Sequence, residues 1–202
     1  MRLLALLCPV VCYLIGSANL SIIVSRALGR DVRESGSGNA GTTNMLRTFG
    51  WRVAIPVFLG DLLRGFLAAR LCGAAFAACG LDARLGAYIG GIAALLGHAH
   101  PIFFGFRGGK GVAVSLGVIV ALYPIAGPLL MLGGFAIAAI SGYVSLGSAL
   151  GAAAFPFLAG ALGGMREVLP ALVMALSVLW LHRENIRRLI EHRENKFAPP
   201  KL

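Results

Sequence analysis

Ionisable side chains are scarce in this sequence: aspartate and glutamate number eight in 202 residues, and all charged types together make up 13%, against roughly 25% in an ordinary soluble domain. Runs such as 85–96, 112–132 and 146–162 carry no ionised residue at all. A soluble helix interrupts each turn with polar residues on its wet face, so this shortage excludes a water-solvated globule. The four cysteines, Cys8, Cys12, Cys72 and Cys79, lie in or beside apolar segments without a CxxC spacing, which excludes a zinc-ribbon or thioredoxin-type motif and reads as small packing residues. No internal repeat is visible, so the inverted-repeat signature of many secondary transporters is missing.

What is abundant is apolar surface, 58% of residues, together with 28 glycines and a formal charge of +10. The positions of the basic residues exclude a nucleic-acid-binding face. Arg26, Arg30, Arg33, Arg47 and Arg52 share one stretch, and Arg183, Arg187, Arg188, Arg193, Lys196 and Lys201 share the tail. That is the loop bias of the positive-inside rule. The apolar periodicity predicts an all-α integral membrane protein of one domain, 1–202, with about seven spans at 3–25, 53–79, 85–97, 111–123, 125–140, 143–162 and 168–181. The first run imitates a signal peptide but continues far enough to span as a retained helix. Placing 26–52, 97–110 and 182–202 on one side gathers thirteen of the eighteen basic residues there, which predicts an outside N-terminus and a cytoplasmic C-terminus.

Three polar blocks interrupt the apolar pattern. Residues 34–47 pack Ser35, Ser37, Asn39, Thr42, Thr43 and Asn44 around Gly36, Gly38 and Gly41 and end on Arg47. Glycine permits positive φ and close approach, so successive N–H groups can form an anion-binding nest, and Arg47 adds a fork of charged donors for phosphate. Residues 97–111 end in Gly108, Gly109, Lys110 and Gly111 at the start of an apolar helix, where free N–H groups attract anions. Phe104 and Gly111 exclude a Walker A loop, and His98 with His100 lacks a third metal ligand. Residues 182–194 follow the last span, with His182, Asn185 and Leu189 on one helical face and Arg183 and Arg187 on a neighbouring one; a basic interfacial helix gripping anionic lipid is the competing reading. Within the second span, Asp61 and Arg64 stand on one face as an internal ion pair.

Taken together, Gly16-Ser17, the Ser35-to-Arg47 block, Asp61-Leu-Leu-Arg-Gly65, the Gly97-to-Gly111 block and His182-Arg-x-Asn-Ile-Arg187 resemble the bacterial acyl-phosphate-dependent glycerol-3-phosphate acyltransferases across nearly the whole chain. The resemblance implies a multi-pass enzyme of the cell inner membrane that moves a fatty acyl group from acyl phosphate to the 1-hydroxyl of glycerol 3-phosphate. The products would be lysophosphatidic acid and phosphate. It also implies no cofactor or metal, no nucleic acid, and a functional link to a soluble acyl-phosphate synthase. By the same resemblance His182, Asn185, Ser35 and Lys110 are the catalytic residues, and Ser37, Gly38, Asn39, Asn44, Arg47, Gly108, Gly109, Arg183 and Arg187 bind substrate. The His-x-x-x-x-Asp pattern of the other large class of glycerolipid acyltransferases is absent, because Phe103 follows His98 and Arg187 follows His182 at that spacing. Asn19, Ala40, Thr42, Arg64 and Val114 depart from the family's usual residues, and Asn19 and Val114 are expected to alter local helix geometry. A transporter of a phosphorylated metabolite should hold its binding groups near the midplane rather than at one face. A lipid-binding scaffold explains the charge bias but not three separate polar blocks.

Overall fold

A computed structural model describes residues 2–197, with the backbone alone at Arg2; Lys201, assigned above to the basic tail, lies outside the described residues. Among these residues there is no strand. Ten α-helices, α1 (Arg2–Ser17), α2 (Leu20–Ala27), α3 (Thr42–Phe49), α4 (Trp51–Ala78), α5 (Ala83–Ala99), α6 (Val112–Leu122), α7 (Ala126–Ser141), α8 (Val144–Gly163), α9 (Met165–Leu181) and α10 (Arg183–Ile190), are joined by short connections. Two of these connections contain 3-10 turns, at Val32–Glu34 and Ile102–Phe104. Three stretches are long and apolar enough to cross a membrane, Leu3–Ala27, Ala83–Phe104 and Val144–Gly163, and α9 with α10 makes a fourth when taken as one bent pair.

The chain divides into two compact units that meet in sequence between Leu122 and Tyr123. In the first, α4 packs against α1, α5 and α6, and α1 packs against α5. Helix α4 is 28 residues long, about 42 Å at 1.5 Å per residue. Its Ile55, Leu59, Leu63, Leu67 and Leu71 recur every fourth residue and are all about half exposed, while Asp61, Gly65, Ala68 and Cys72 face inward and are buried. That stripe is an exposed apolar face, and it explains how a helix with four charged residues sits among apolar helices. Gly65 lets α6 come close, since a Cβ there would collide with the Val114 carbonyl. Val114 itself is fully buried and α6 runs through it without a break, so this departure leaves the helix intact.

The expected first span, 3–25, is interrupted. α1 ends at Ser17, and Asn19 caps α2 by accepting the Ile22 N–H at 3.2 Å. The carbonyls released at the break are satisfied by Arg64, whose Nη1 donates to those of Ile15 at 3.2 Å, Gly16 at 3.1 Å and Ala18, while Nη2 donates to Asp61. A cation at a helix C-terminus is favoured by the dipole. The internal ion pair expected of Asp61 and Arg64 is therefore present and fixes the helix break.

In the second unit α7 packs on α8 and α8 on α9. Buried Glu167, in the first turn of α9, accepts the Tyr123 hydroxyl at 2.8 Å, and the Tyr123 ring meets Phe155 edge-on with centroids 6.1 Å apart. Helices α9 and α10 are bent by 62° at His182.

Candidate functional site

In the first unit two loops, one ahead of α3 and one ahead of α6, are built against each other. Asn44 organises the first. It is fully buried, its Oδ1 accepts the Ser37 N–H at 2.9 Å, and its Nδ2 donates to the carbonyls of Val32 at 2.8 Å and Ser35 at 2.9 Å. Asn44 was expected to contact substrate; its amide is instead occupied by backbone, and it shapes the loop. Gly36 and Gly38 adopt φ of +58° and +70°, the left-handed geometry that the turn requires. The Gly38 N–H donates to Ser35 O at 3.0 Å, so with Ser37 it is taken from the open nest expected here. Exposed Ser37 and half-buried Ser35 and Asn39 form the loop surface, and Arg47 follows half-buried in the last turn of α3.

The second loop is similar in kind. The N–H groups of Gly108 and Gly109 donate to Ala99 and His98 carbonyls, each at 3.1 Å, so neither offers the anion contact expected of it. Their smallness matters instead: a Cβ at Gly109 would strike both the Ala40 carbonyl and His98 Nε2. The backbone before Lys110 thus lies directly on Ala40, two residues ahead of α3, and half-buried Lys110 stands one residue from Gly111, where φ of +72° turns the chain into α6. His98 is buried with Nδ1 at 3.8 Å from Asp61 Oδ2.

Three side chains that sequence reasoning passed over tie the loops together. Asn19 Nδ2 donates to Ala40 O in one loop and His98 O beside the other, both at 3.3 Å. Arg33 Nη1 donates to the carbonyls of Phe104 at 2.9 Å and Arg107 at 3.2 Å, while its Nε and Nη2 grip both oxygens of Asp31 at 3.0 and 2.8 Å. Arg26 joins Asp31 at 3.1 Å and lies over the Phe104 ring. The charged hydrogen bonds from Arg33 hold the Asp31 carboxyl well below the usual range, and Asp31 raises the Arg33 guanidinium in return. Asn19, read from sequence only as a departure, carries a signal after all: Asn is a strong N-cap, and here its spare donor reaches two loops.

In the second unit His182 sits at the α9–α10 bend, buried, with Nδ1 at 2.8 Å from the Val178 carbonyl. Asn185 is buried one turn on and donates from Nδ2 to Glu194 Oε1 at 2.6 Å. Glu194 also accepts the Ser145 hydroxyl at 2.9 Å and Arg188 Nε at 2.7 Å. Burial pushes the Glu194 carboxyl upward, but the hydrogen bonds from Asn185, Arg188 and Ser145 outweigh it and leave the group below its ordinary value. Arg183 and Arg187 are exposed, the first over the Trp180 ring and bonded to its carbonyl, the second paired with Glu191 at 3.1 Å. The face with His182 and Asn185 is thus inward, and the expected arginine face points out.

In the first unit, buried amides and cations order two glycine-rich loops ahead of helix N-termini, and in the second a buried histidine at the α9–α10 bend stands beside a buried asparagine of α10. The sequence matches the family described as glycerol-3-phosphate acyltransferase over residues 6–192. It is 40% identical over 193 residues to the glycerol-3-phosphate acyltransferase of Clostridioides difficile (strain 630), covering 95% of each chain. It is 44% identical over 199 residues to that of Geobacter sulfurreducens, covering 95% of this chain and 97% of the relative. Two crystal structures of PlsY (YgiH), an integral membrane glycerol 3-phosphate acyltransferase, share the fold. The glycerol 3-phosphate form has a TM-score of 0.87 at 36% identity, covering 96% of both chains, and the lysophosphatidic acid form 0.85 at 35%, covering 96% and 95%. With the whole matched length, the helical architecture and the loop chemistry in agreement, this chain belongs to the glycerol-3-phosphate acyltransferase family.

Proposed function

We propose that this chain catalyses attack of the 1-hydroxyl of glycerol 3-phosphate on the carbonyl of a fatty acyl phosphate, giving lysophosphatidic acid and inorganic phosphate at the cytoplasmic face of the cell inner membrane. The observation that carries the reading is the pair of loops locked by Asn19, Arg33 and Asn44 ahead of α3 and α6, with Lys110 and Arg47 beside them. Both substrates are phosphate anions, and cationic, N–H-rich helix starts recognise that group. Ser35, Ser37 and Asn39 with Arg47 and Lys110 bind phosphate. Gly38, Gly108 and Gly109 let the backbone lie close enough to do so.

Acyl phosphate is already activated, so no covalent enzyme intermediate is needed, and direct transfer is the economical route. Donors aimed at the developing oxyanion supply the stabilisation. His182 and Asn185 hold glycerol 3-phosphate and the reacting carbonyl, with Arg183 and Arg187 drawing anions to α10. Because His182 Nδ1 faces a carbonyl, it carries the proton in the neutral ring and Nε2 is the acceptor, the tautomer a general base needs. The hydroxyl proton passes there or to the acceptor's own phosphate.

The enzyme has seven spans, the N-terminus outside and the C-terminus cytoplasmic, and is fed by a soluble acyl-phosphate synthase. The test is phosphate release by purified protein given palmitoyl phosphate with and without glycerol 3-phosphate, with palmitoyl-CoA as the donor control. Acceptor-dependent release with lysophosphatidic acid formed only from acyl phosphate is the expected result. Product formed equally from palmitoyl-CoA would overturn the donor assignment.

A further inference from the structure

Three thiols meet inside the first unit. Cys8 and Cys12, one helical turn apart on α1, and Cys72 on α4 bring their sulfurs within 4.8 Å of one another. They are 5%, 0% and 0% exposed. Around them lie Ala68, Ala75, Ala94 and Val114, with Phe76 and Ile89 packed outside. The Cys12 thiol donates to the Ala68 carbonyl at 3.4 Å, and the thiols also hydrogen-bond to one another.

Three sulfurs bonded at about 2.3 Å to one pyramidal or planar centre stand about 3.4–4 Å apart, a little closer than the 4.8 Å within which these three already lie. Thiol donors select soft, thiophilic centres over hard ones. Charge then narrows the choice. Three thiolates around a monovalent or divalent ion leave a net negative charge in an apolar cluster, an uncompensated buried charge that burial strongly disfavours. Around a trivalent centre the complex is neutral.

We propose that Cys8, Cys12 and Cys72 form a three-thiolate site for a trivalent thiophile, with arsenous acid the simplest such ligand. Each As–O bond is replaced by an As–S bond, and each thiol proton leaves with the displaced hydroxide as water. Three waters are released, arsenic stays trivalent, and nothing is oxidised or reduced. The entering acid and the product are both neutral, so no charge crosses or remains in the apolar interior. The complex staples α1 to α4. Cys79, at the end of α4 and outside the cluster, takes no part.

The experiment uses the full chain in detergent, reduced with a phosphine, incubated with sodium arsenite and desalted. Elemental analysis should find one arsenic per chain, and X-ray absorption at the arsenic edge should find three sulfur neighbours. Cys79→Ala should keep the stoichiometry, whereas Cys12→Ala and Cys72→Ala should weaken retention at least tenfold. A wild-type first shell of two sulfurs and an oxygen, retention that depends on Cys79, or no retention would each overturn the proposal. Because the absorption measurement is made on the unmodified chain, it decides the matter even where a variant folds poorly.

Discussion

Arg33 donates from Nη1 to the carbonyl oxygen of Phe104 at 2.9 Å, and that hydrogen bond ties the loop ahead of α3 to the loop ahead of α6. The same guanidinium also holds Arg107 O and both oxygens of Asp31. A lysine keeps the charge but cannot match the planar fork. Arg33→Lys should therefore leave the helices formed and lower kcat/KM for glycerol 3-phosphate by about tenfold or more, the equivalent of about 1.4 kcal/mol. Initial-rate assays of lysophosphatidic acid formation, with circular dichroism as the folding control, measure both.

Lys110 follows the Gly108-Gly109 crossing and precedes the turn into α6. In the proposed reaction its charge is a phosphate partner. Lys110→Ala should lower turnover by at least a hundredfold at an unchanged melting temperature. Near-normal turnover would take Lys110 out of the site.

Asn44 behaves differently because its polar atoms are already bonded to Ser37, Val32 and Ser35. Alanine there takes the acceptor from the part-buried Ser37 N–H and one of two donors from each of the Val32 and Ser35 carbonyls, which keep the N–H groups of Ser35 and Gly38; each hydrogen bond lost costs about 0.5–1.5 kcal/mol. Asn44→Ala should lower both activity and melting temperature, unlike Lys110→Ala, and paired thermal scans of the two variants separate shaping the loop from touching substrate.

The contrast between those residues marks what was legible in the sequence. The apolar runs are helical in the structure, the first of them broken between Ser17 and Leu20, because long windows of uninterrupted hydropathy are legible without tertiary context; three of the stretches, or four with the bent pair, are long and apolar enough to cross a membrane. The break at Asn19 was not foreseen, since its causes are Arg64, forty-five residues away, and a cap that looks like one more polar residue. The polar blocks were recognisable by composition. Their internal division of labour was not: Asn44, Gly38, Gly108 and Gly109 read as ligands because glycine and asparagine are common in anion loops, yet their amides close the loops on themselves. Arg33 counted only as one more positive loop residue. Glu194 lies beyond the end of α10, off any helical period from Asn185, so only folding of the tail brings the two together.

That tail carries a pH dependence. The Glu194 carboxyl titrates below its ordinary value in the folded protein because Asn185, Arg188 and Ser145 together outweigh the cost of burial. Its stabilisation is complete above the unfolded value, about 4.3 for Glu, and is lost as pH falls through the lower folded value. Thermal stability of the wild type should decline on acidification below about pH 4. Glu194→Gln should be less stable at neutral pH and lose that acid-dependent component, which melting curves from pH 3 to pH 7 would resolve.

The closure of α10 contains one strained residue. The N–H of Arg193 returns to Arg188 O at 2.7 Å and that of His192 to Leu189 O at 3.1 Å, the double bond pattern that ends a helix on a left-handed residue. That residue is His192, at φ of +53°, exposed, where glycine is the usual occupant. A side chain with a Cβ costs about 1 kcal/mol in this geometry. His192→Gly should raise the melting temperature of the second unit by a few degrees, since about 1 kcal/mol moves a domain of this size by roughly 4–8 °C. It should also leave the Asn185–Glu194 hydrogen bond in place, so turnover should be unchanged within twofold. A lower melting temperature would mean that the imidazole makes a stabilising contact stronger than the strain it imposes.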